Sequence, residues 1–156
     1  MTWAKGDLET AAARFEDALA LAQEAVDQFN EENAHFGLGR VAFARGDSDR
    51  AREYLVKALS SCFAYSIYSW DFPYVLEALA YVAMSQQQMV QAARLLGVTQ
   101  AYHERFQRLR TSKEREMRDS AIIQVRAVRG DKAFAAARQE GEGMGLKEAV
   151  VYARQG

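Results

Sequence analysis

Apolar residues recur at three- and four-residue spacing along almost the whole chain, and each sustained run of that spacing predicts a helix. The first predicted helix covers about 8–29, with Ala11, Phe15, Ala18, Leu19 and Ala22 on one stripe. The second covers about 32–44 and contains Gly37 and Gly39. A glycine inside a helix costs up to ~1 kcal/mol against alanine, so close helix packing has to offset these two. The third starts after Asp47 and reaches Tyr65. An aromatic corner, SIYSWDFPY, follows, and Pro73 suits the first turn of a fourth helix, where its missing N–H is not needed. That helix ends near Ser85, and QQQ forms the turn. A fifth helix covers about 89–108. Thr111-Ser-Lys-Glu114 has the form of a capping box. It opens a sixth helix to about Arg129, with Met117, Ala121, Val125 and Val128 inward. The seventh covers about 131–142, and Gly141, Gly143 and Gly145 then break the chain. The eighth, about 146–154, turns Leu146, Ala149, Val150 and Ala153 inward.

The pattern repeats. GDLETAAARFEDAL from Gly6 returns 40 positions later as GDSDRAREYLVKAL from Gly46, with Ala11, Phe15, Ala18 and Leu19 matching Ala51, Leu55, Ala58 and Leu59. A third copy aligns through Ala92 and Leu96. Twelve residues before Ala51 and Ala92 stand Gly39 and Ala80, small residues that let the two helices of a unit approach closely. A repeat of this period predicts a helical solenoid, in which each unit buries its apolar face on a neighbour. Gly-Asp pairs at 6–7, 46–47 and 130–131 predict three turns of one kind. In each, the glycine ends a helix in the left-handed conformation and the aspartate caps the next one. The expected organisation is a single domain, 1–156, with repeats over 1–108 and capping helices over 109–156. Residues 1–5 supply only the last turn of a helix, so the first unit is predicted to be truncated. This suggests a fragment of a longer protein, or a homo-oligomer contact covering the bare face of helix 1.

Composition narrows the function classes. The net charge of −1 names no partner. Residues 105–138 carry ten basic and four acidic side chains. Arg105, Arg108, Arg110, Arg115 and Arg118 could serve nucleic acid, but a solvated helix face explains a lone charge run better, and direct nucleic-acid binding is not expected. One cysteine, Cys62, excludes an intrachain disulfide and suits a reducing compartment. It is expected to be a buried structural thiol. No run approaches ~18 uninterrupted apolar residues, so no membrane span is predicted. The N-terminus lacks the pattern of a signal peptide, and a cytoplasmic location follows as the default.

Catalytic groups do not assemble. His35 and His103 lie in different predicted helices, and no glycine-flanked serine elbow is present. His103-Glu104 lacks a second ligand histidine at helical spacing, and His35 takes a position suited to a packed side chain. No metal or cofactor is expected, and the chain is not predicted to be an enzyme.

The units resemble tetratricopeptide repeats: Gly39, Ala51 and Ala58 fit the small-residue positions of that pattern. The ~40-residue period exceeds the usual 34 and resembles the repeat arm of MalT-like, LuxR-type ATP-dependent transcription regulators. QAARLLGVTQAYHER (91–105) and KAFAAARQEGEGMGLKEAVVYA (132–153) are similar to two segments of that arm. Gln87-Gln88 stands where the family has Gly-Asp, and no phosphate-binding Gly-x-x-x-x-Gly-Lys-Ser/Thr loop occurs. The resemblance therefore implies a non-catalytic regulatory arm and leaves its effector open. It also implies a concave groove lined by the first helix of each unit. The residues placed there are Asn33, Phe36, Arg40 and Phe43, followed by Tyr74, Glu77, Tyr81 and Met84. Such a groove would take a protein, a peptide or an effector domain of the same longer chain. The alternative is a small inducer held by that groove and by the aromatic corner, Phe63, Tyr65, Tyr68, Trp70, Phe72 and Tyr74.

Overall fold

The computed structural model is all helix among the residues it describes, which are 5–65, 72–105 and 111–155, with side chains omitted at 5 and 61–65. The elements are α1 (Lys5–Glu24), α2 (Gln28–Ala44), α3 (Ser48–Tyr65), α4 (Phe72–Ser85), α5 (Met89–Arg105), α6 (Ser112–Arg129), α7 (Asp131–Gly143) and α8 (Leu146–Gln155). None of them is long and apolar enough to cross a membrane.

Three of the turns share one backbone solution. Asp27, Asp47 and Gln88 each donate their N–H five residues back, to the carbonyls of Ala22, Ala42 and Ala83, at 2.8, 3.0 and 2.8 Å. The residue before each donates three residues back and stands at positive φ: Val26 at 54°, Gly46 at 83° and Gln87 at 62°. This pair of bonds is the Schellman closure of a helix end. QQQ thus turns the chain as Gly46-Asp47 does, with glutamine in the left-handed position.

The turn at 25–27 divides the single helix expected over 8–29, and Phe29 belongs to α2. The Gly6-Asp7 pair corrects a second expectation. Both residues lie inside α1, where Thr10 Oγ1 donates to the Gly6 carbonyl at 3.0 Å. Asp47 does cap α3, accepting from Arg50 N at 3.0 Å. Asp27 caps α2 in the same way, accepting from Asn30 N at 3.1 Å. Asp131 caps nothing: it is the first residue of α7 and accepts from Arg126 Nε at 2.9 Å. Gly130, at φ 82° and ψ 156°, links α6 to α7. The capping box of α6 is present, with Glu114 N donating to Thr111 Oγ1 at 3.2 Å and Thr111 N to Glu114 Oε2 at 2.7 Å.

The chain divides into two compact units, Met1–Val75 and Leu76–Gly156. In the first, α2 packs on both α1 and α3. Leu8, Ala12 and Val41 form a buried cluster, with Ala11 and Phe15 against it. Ala18, expected inward, is exposed. The two glycines of α2 mark its two contacts. A Cβ on Gly37 would stand 2.5 Å from Phe15 Cδ1, and one on Gly39 would stand 2.8 Å from Leu55 Cγ and 3.3 Å from the Ala51 carbonyl oxygen.

In the second unit α5 contacts α6, α7 and α8. Ala83, Ala92, Ala93, Val125, Phe134 and Ala137 form its core. Ala149, Val150 and Ala153 are buried as predicted, but on α6 only Ala121 and Val125 are. Met117 and Val128 are 48% and 61% exposed, because that helix buries a narrower stripe than its sequence offers. Gly141 does not break the chain. It lies buried in α7, where a Cβ would fall on the Arg94 carbonyl, and a Cβ on Gly97 of α5 would fall on the Arg138 carbonyl. Arg94 ties the same crossing by donating from Nε to Glu140 Oε2 at 2.5 Å, and reaches α8 by donating from Nη1 to the Tyr152 hydroxyl at 3.3 Å.

Candidate interaction surface

Helix α2 is apolar on two opposite sides. Ala34, His35, Leu38, Val41 and Ala42 form its buried side. At 3.6 residues per turn, Phe29, Asn33, Phe36, Arg40 and Phe43 fall on a single stripe half a turn away. Steps of four, three, four and three residues separate them, the spacing of a heptad seam. Phe29 is 61% and Phe43 37% exposed; Arg40 is exposed, and Asn33 and Phe36 are half-buried. The Arg40 guanidinium carbon stands 5.8 Å from the centroid of the Phe36 ring, within cation–π range. The stripe runs about 21 Å, at 1.5 Å per residue. Gly37 and Gly39 flank it, with Phe15 of α1 against the first and Leu55 of α3 against the second.

The stripe therefore holds four residues expected at a groove, Asn33, Phe36, Arg40 and Phe43, and adds Phe29. The sequence pattern puts Phe29 in the preceding helix because no glycine announces the turn at Val26. The shared signal at the turns is an alanine five residues before the capping position, at Ala22, Ala42 and Ala83.

The other four expected residues serve α4 differently. Tyr74 and Tyr81 are half-buried, and the Tyr81 hydroxyl donates to Glu77 Oε1 at 2.6 Å. Glu77 is only 7% exposed, and Met84 packs against the core cluster of the second unit. Helical spacing sets these two on the solvent side, whereas Glu77 is buried and Met84 half-buried. Of the aromatic corner, Tyr68 and Trp70 lie outside the described residues, as do the side chains of Phe63, Tyr65 and Cys62. Phe72 is buried at 2% exposure. A cleft of about 140 Å³ opens between α1, α2 and α3, beside Glu16, Arg45 and Tyr54. It is smaller than the 300–1,000 Å³ pockets that enclose drug-sized ligands.

The titratable groups expected to be structural are buried. His35 is 7% exposed, its ring centroid 6.3 Å from that of Tyr54, and Nδ1 has no hydrogen-bond partner. Burial holds its pKa below the ordinary value, aided by Lys57 and opposed by Glu31. His103 is buried edge-on to Tyr102, with centroids 6.3 Å apart. No group of three His, Cys, Asp or Glu side chains suited to a metal ion occurs among the described residues. Of the arginines considered for nucleic acid, Arg108 and Arg110 lie outside the described residues. Arg105 and Arg115 are exposed, and Arg118 donates to the Leu96 carbonyl at 3.3 Å. The outward side of α1, considered for self-association, presents Arg14, Asp17 and Glu24 beside Leu21.

Comparison with known proteins agrees with a repeat array. No solved structure matches the chain. Over 146 residues it is 30% identical to proteins named "Putative HTH-type transcriptional regulator" from two strains of Mycobacterium tuberculosis and one of Mycobacterium bovis. The alignment covers 90% of this chain and 16% of the length of each relative. Residues 1–62, which hold the whole α2 stripe, match the tetratricopeptide-repeat family model.

Proposed function

We propose that this chain is a non-catalytic protein-interaction segment of a bacterial signalling or transcription regulator. The observation that carries this reading is the exposed aromatic and arginine stripe of α2, on the part of the chain that matches a tetratricopeptide repeat. Phe and Arg are enriched at protein interfaces, and Arg is among the residues that dominate binding energy. Repeats of this kind typically bind proteins and lack catalytic activity. The names of the mycobacterial relatives support the regulatory role, and the two C-terminal segments support the LuxR type. Such a segment would work in the cytoplasm, with residues 1–108 as the repeat array and 109–156 as its cap. A partner peptide or domain would seat on the stripe, and a change in helix packing would reach the effector.

The test is chromosomal. Codons for Phe36, Arg40 and Phe43 are changed to alanine in the native gene, and transcripts are compared with the wild type and with a deletion of the gene. The expected result is a shared set of altered transcripts in the two mutants. A deletion that leaves transcription unchanged removes the regulatory reading. A triple variant indistinguishable from wild type removes the stripe from it.

A further inference from the structure

We propose that the cleft between α1, α2 and α3 binds a free α-amino acid with a small aliphatic side chain. The cleft lies within the first unit and none of the stripe residues lines it, so the inference goes beyond the interaction reading. Its floor is apolar: Ala12, Leu38, Val41 and Ala42 line it, and all four are buried. Its rim is exposed and carries charges of both signs. Glu16 comes from α1, Arg45 from the C-terminal end of α2, and Asp47 and Arg50 from the start of α3, with Tyr54 beside them. The volume of about 140 Å³ sets the size of the ligand. A cavity of about 150 Å³ holds benzene, so this cleft suits a molecule of that order.

The rim charges are arranged for a zwitterion. Asp47 is already engaged, accepting from Arg50 N at 3.0 Å to cap α3. Arg45 donates from Nη2 to the Leu8 carbonyl at 3.3 Å, and Arg50 from Nη2 to the Tyr54 hydroxyl at 3.4 Å. Those bonds fix the two guanidiniums, and each has five N–H donors, so both keep donors for a ligand. Two cations lining one small cleft call for an anion, and the fork of a carboxylate matches guanidinium donors. Glu16 calls for the opposite charge. The Tyr54 hydroxyl, with Asp47 and Glu16 behind it, holds the Arg50 pKa above its ordinary value, so these groups face one another. Yet no ion pair joins Glu16 to either arginine among the described residues. A ligand ammonium would meet Glu16 while the carboxylate of the same molecule bridges Arg45 and Arg50. A simple anion would instead be repelled by Glu16, and a simple cation by the two arginines. A molecule with both charges on one carbon, and an aliphatic group for the floor, is an α-amino acid.

Such a ligand touches three helices and would stabilise the folded unit by mass action. The experiment is thermal melting and calorimetry of the 156-residue chain against free amino acids, followed by the N-acetyl and amide derivatives of the tightest binder. L-valine and L-leucine should raise the melting temperature as their concentration rises, glycine less, and L-tryptophan not at all. The N-acetyl derivative lacks the ammonium and the amide lacks the carboxylate, so each should bind about tenfold more weakly or worse. Glu16→Gln should cost as much, and should no longer tell the free amino acid from its N-acetyl form. Arg50→Gln should do the same for the amide. Both side chains are exposed, and an unchanged helical spectrum shows that each variant folds.

No binding by any free amino acid at up to about 10 mM, weaker than the millimolar range, would overturn the proposal. An N-acetyl derivative that binds as well as the free amino acid would make the ligand a simple anion, and an amide that does so a simple cation; either result overturns the zwitterion. Binding untouched by both Glu16→Gln and Arg50→Gln would put the amino acid elsewhere on the chain and overturn the cleft as its site. Each of these results leaves the stripe reading standing, because the stripe residues lie outside the cleft.

Discussion

The ring of Phe15 occupies the space that a side chain at Gly37 would need. A Cβ there would lie 2.5 Å from both Cδ1 and Cζ of the ring, closer than real carbons approach. The neighbour is a half-buried side chain and can yield in part. Gly37→Ala should destabilise the chain by about 1–2 kcal/mol, the overpacking loss less what alanine returns in helix propensity. Adding Phe15→Leu should recover part of that loss in urea unfolding. Strictly additive losses would show that the two residues are not in contact.

The crossing of α5 and α7 leaves no such freedom. At Gly97 and Gly141 the opposing atoms are backbone: the Arg138 carbonyl and Glu142 N on one side, the Arg94 carbonyl and Cα on the other. A methyl group at either position must move a whole helix and break the Arg94 contacts to Glu140 and Tyr152. Gly97→Ala and Gly141→Ala should each cost about 3 kcal/mol or more, beyond the usual overpacking range. A wild-type urea midpoint for either variant would mean that the helices do not meet this closely.

Two turns hold residues that disfavour the left-handed conformation. Val26, β-branched, stands at φ 54°, and Gln87 at φ 62°. Side chains pay about 1–2 kcal/mol for that region, and a β-branched residue is an outlier there. Val26 is 78% exposed, so removing its side chain forfeits little burial. Val26→Gly should stabilise the chain by about 1 kcal/mol after the entropy cost of glycine, and Gln87→Gly by somewhat less. Gly46→Val should have the opposite sign. Thermal melting reads all three, and a destabilising Val26→Gly would contradict the turn geometry.

His35 predicts an acid sensitivity. Its folded pKa lies below the ordinary 6.5 because burial disfavours the charged ring. The unfolded chain therefore binds the proton first. Stability from the neutral ring is fully present above about pH 6.5 and is lost as pH falls below it, by up to about 1.4 kcal/mol per pH unit. The neighbouring charges are Glu31 on its own helix and Lys57 on α3, which partly oppose each other. His35→Phe should flatten unfolding stability between pH 6.5 and pH 5 relative to wild type. The same slope in both proteins would place the titrating group elsewhere.

Helix spacing and the Gly6/Gly46 repeat announce the all-α repeat class, the Thr111 capping box and the buried face of α8, because these depend on neighbours in sequence. The Val26 turn was hidden because nothing local favours valine at positive φ; the packing of α1 on α2 imposes it. Gly141 has the sequence mark of a helix end, and its place against α5 makes it a crossing point instead. Met117 and Val128 follow the apolar period of α6 but are exposed.

The candidate surface divides the same way. Periodicity alone marks both apolar sides of α2, since each repeats at the helical interval. It cannot tell which side is covered, because that depends on helices distant along the chain. Phe15 seated on Gly37 and Leu55 on Gly39 bring α1 and α3 against the two flanks, and His35 and Leu38 turn into the space between. Only this packing leaves Phe29, Phe36, Arg40 and Phe43 facing out: burial is decided by the contacts a residue finds, and its hydrophobicity records only that it favours one.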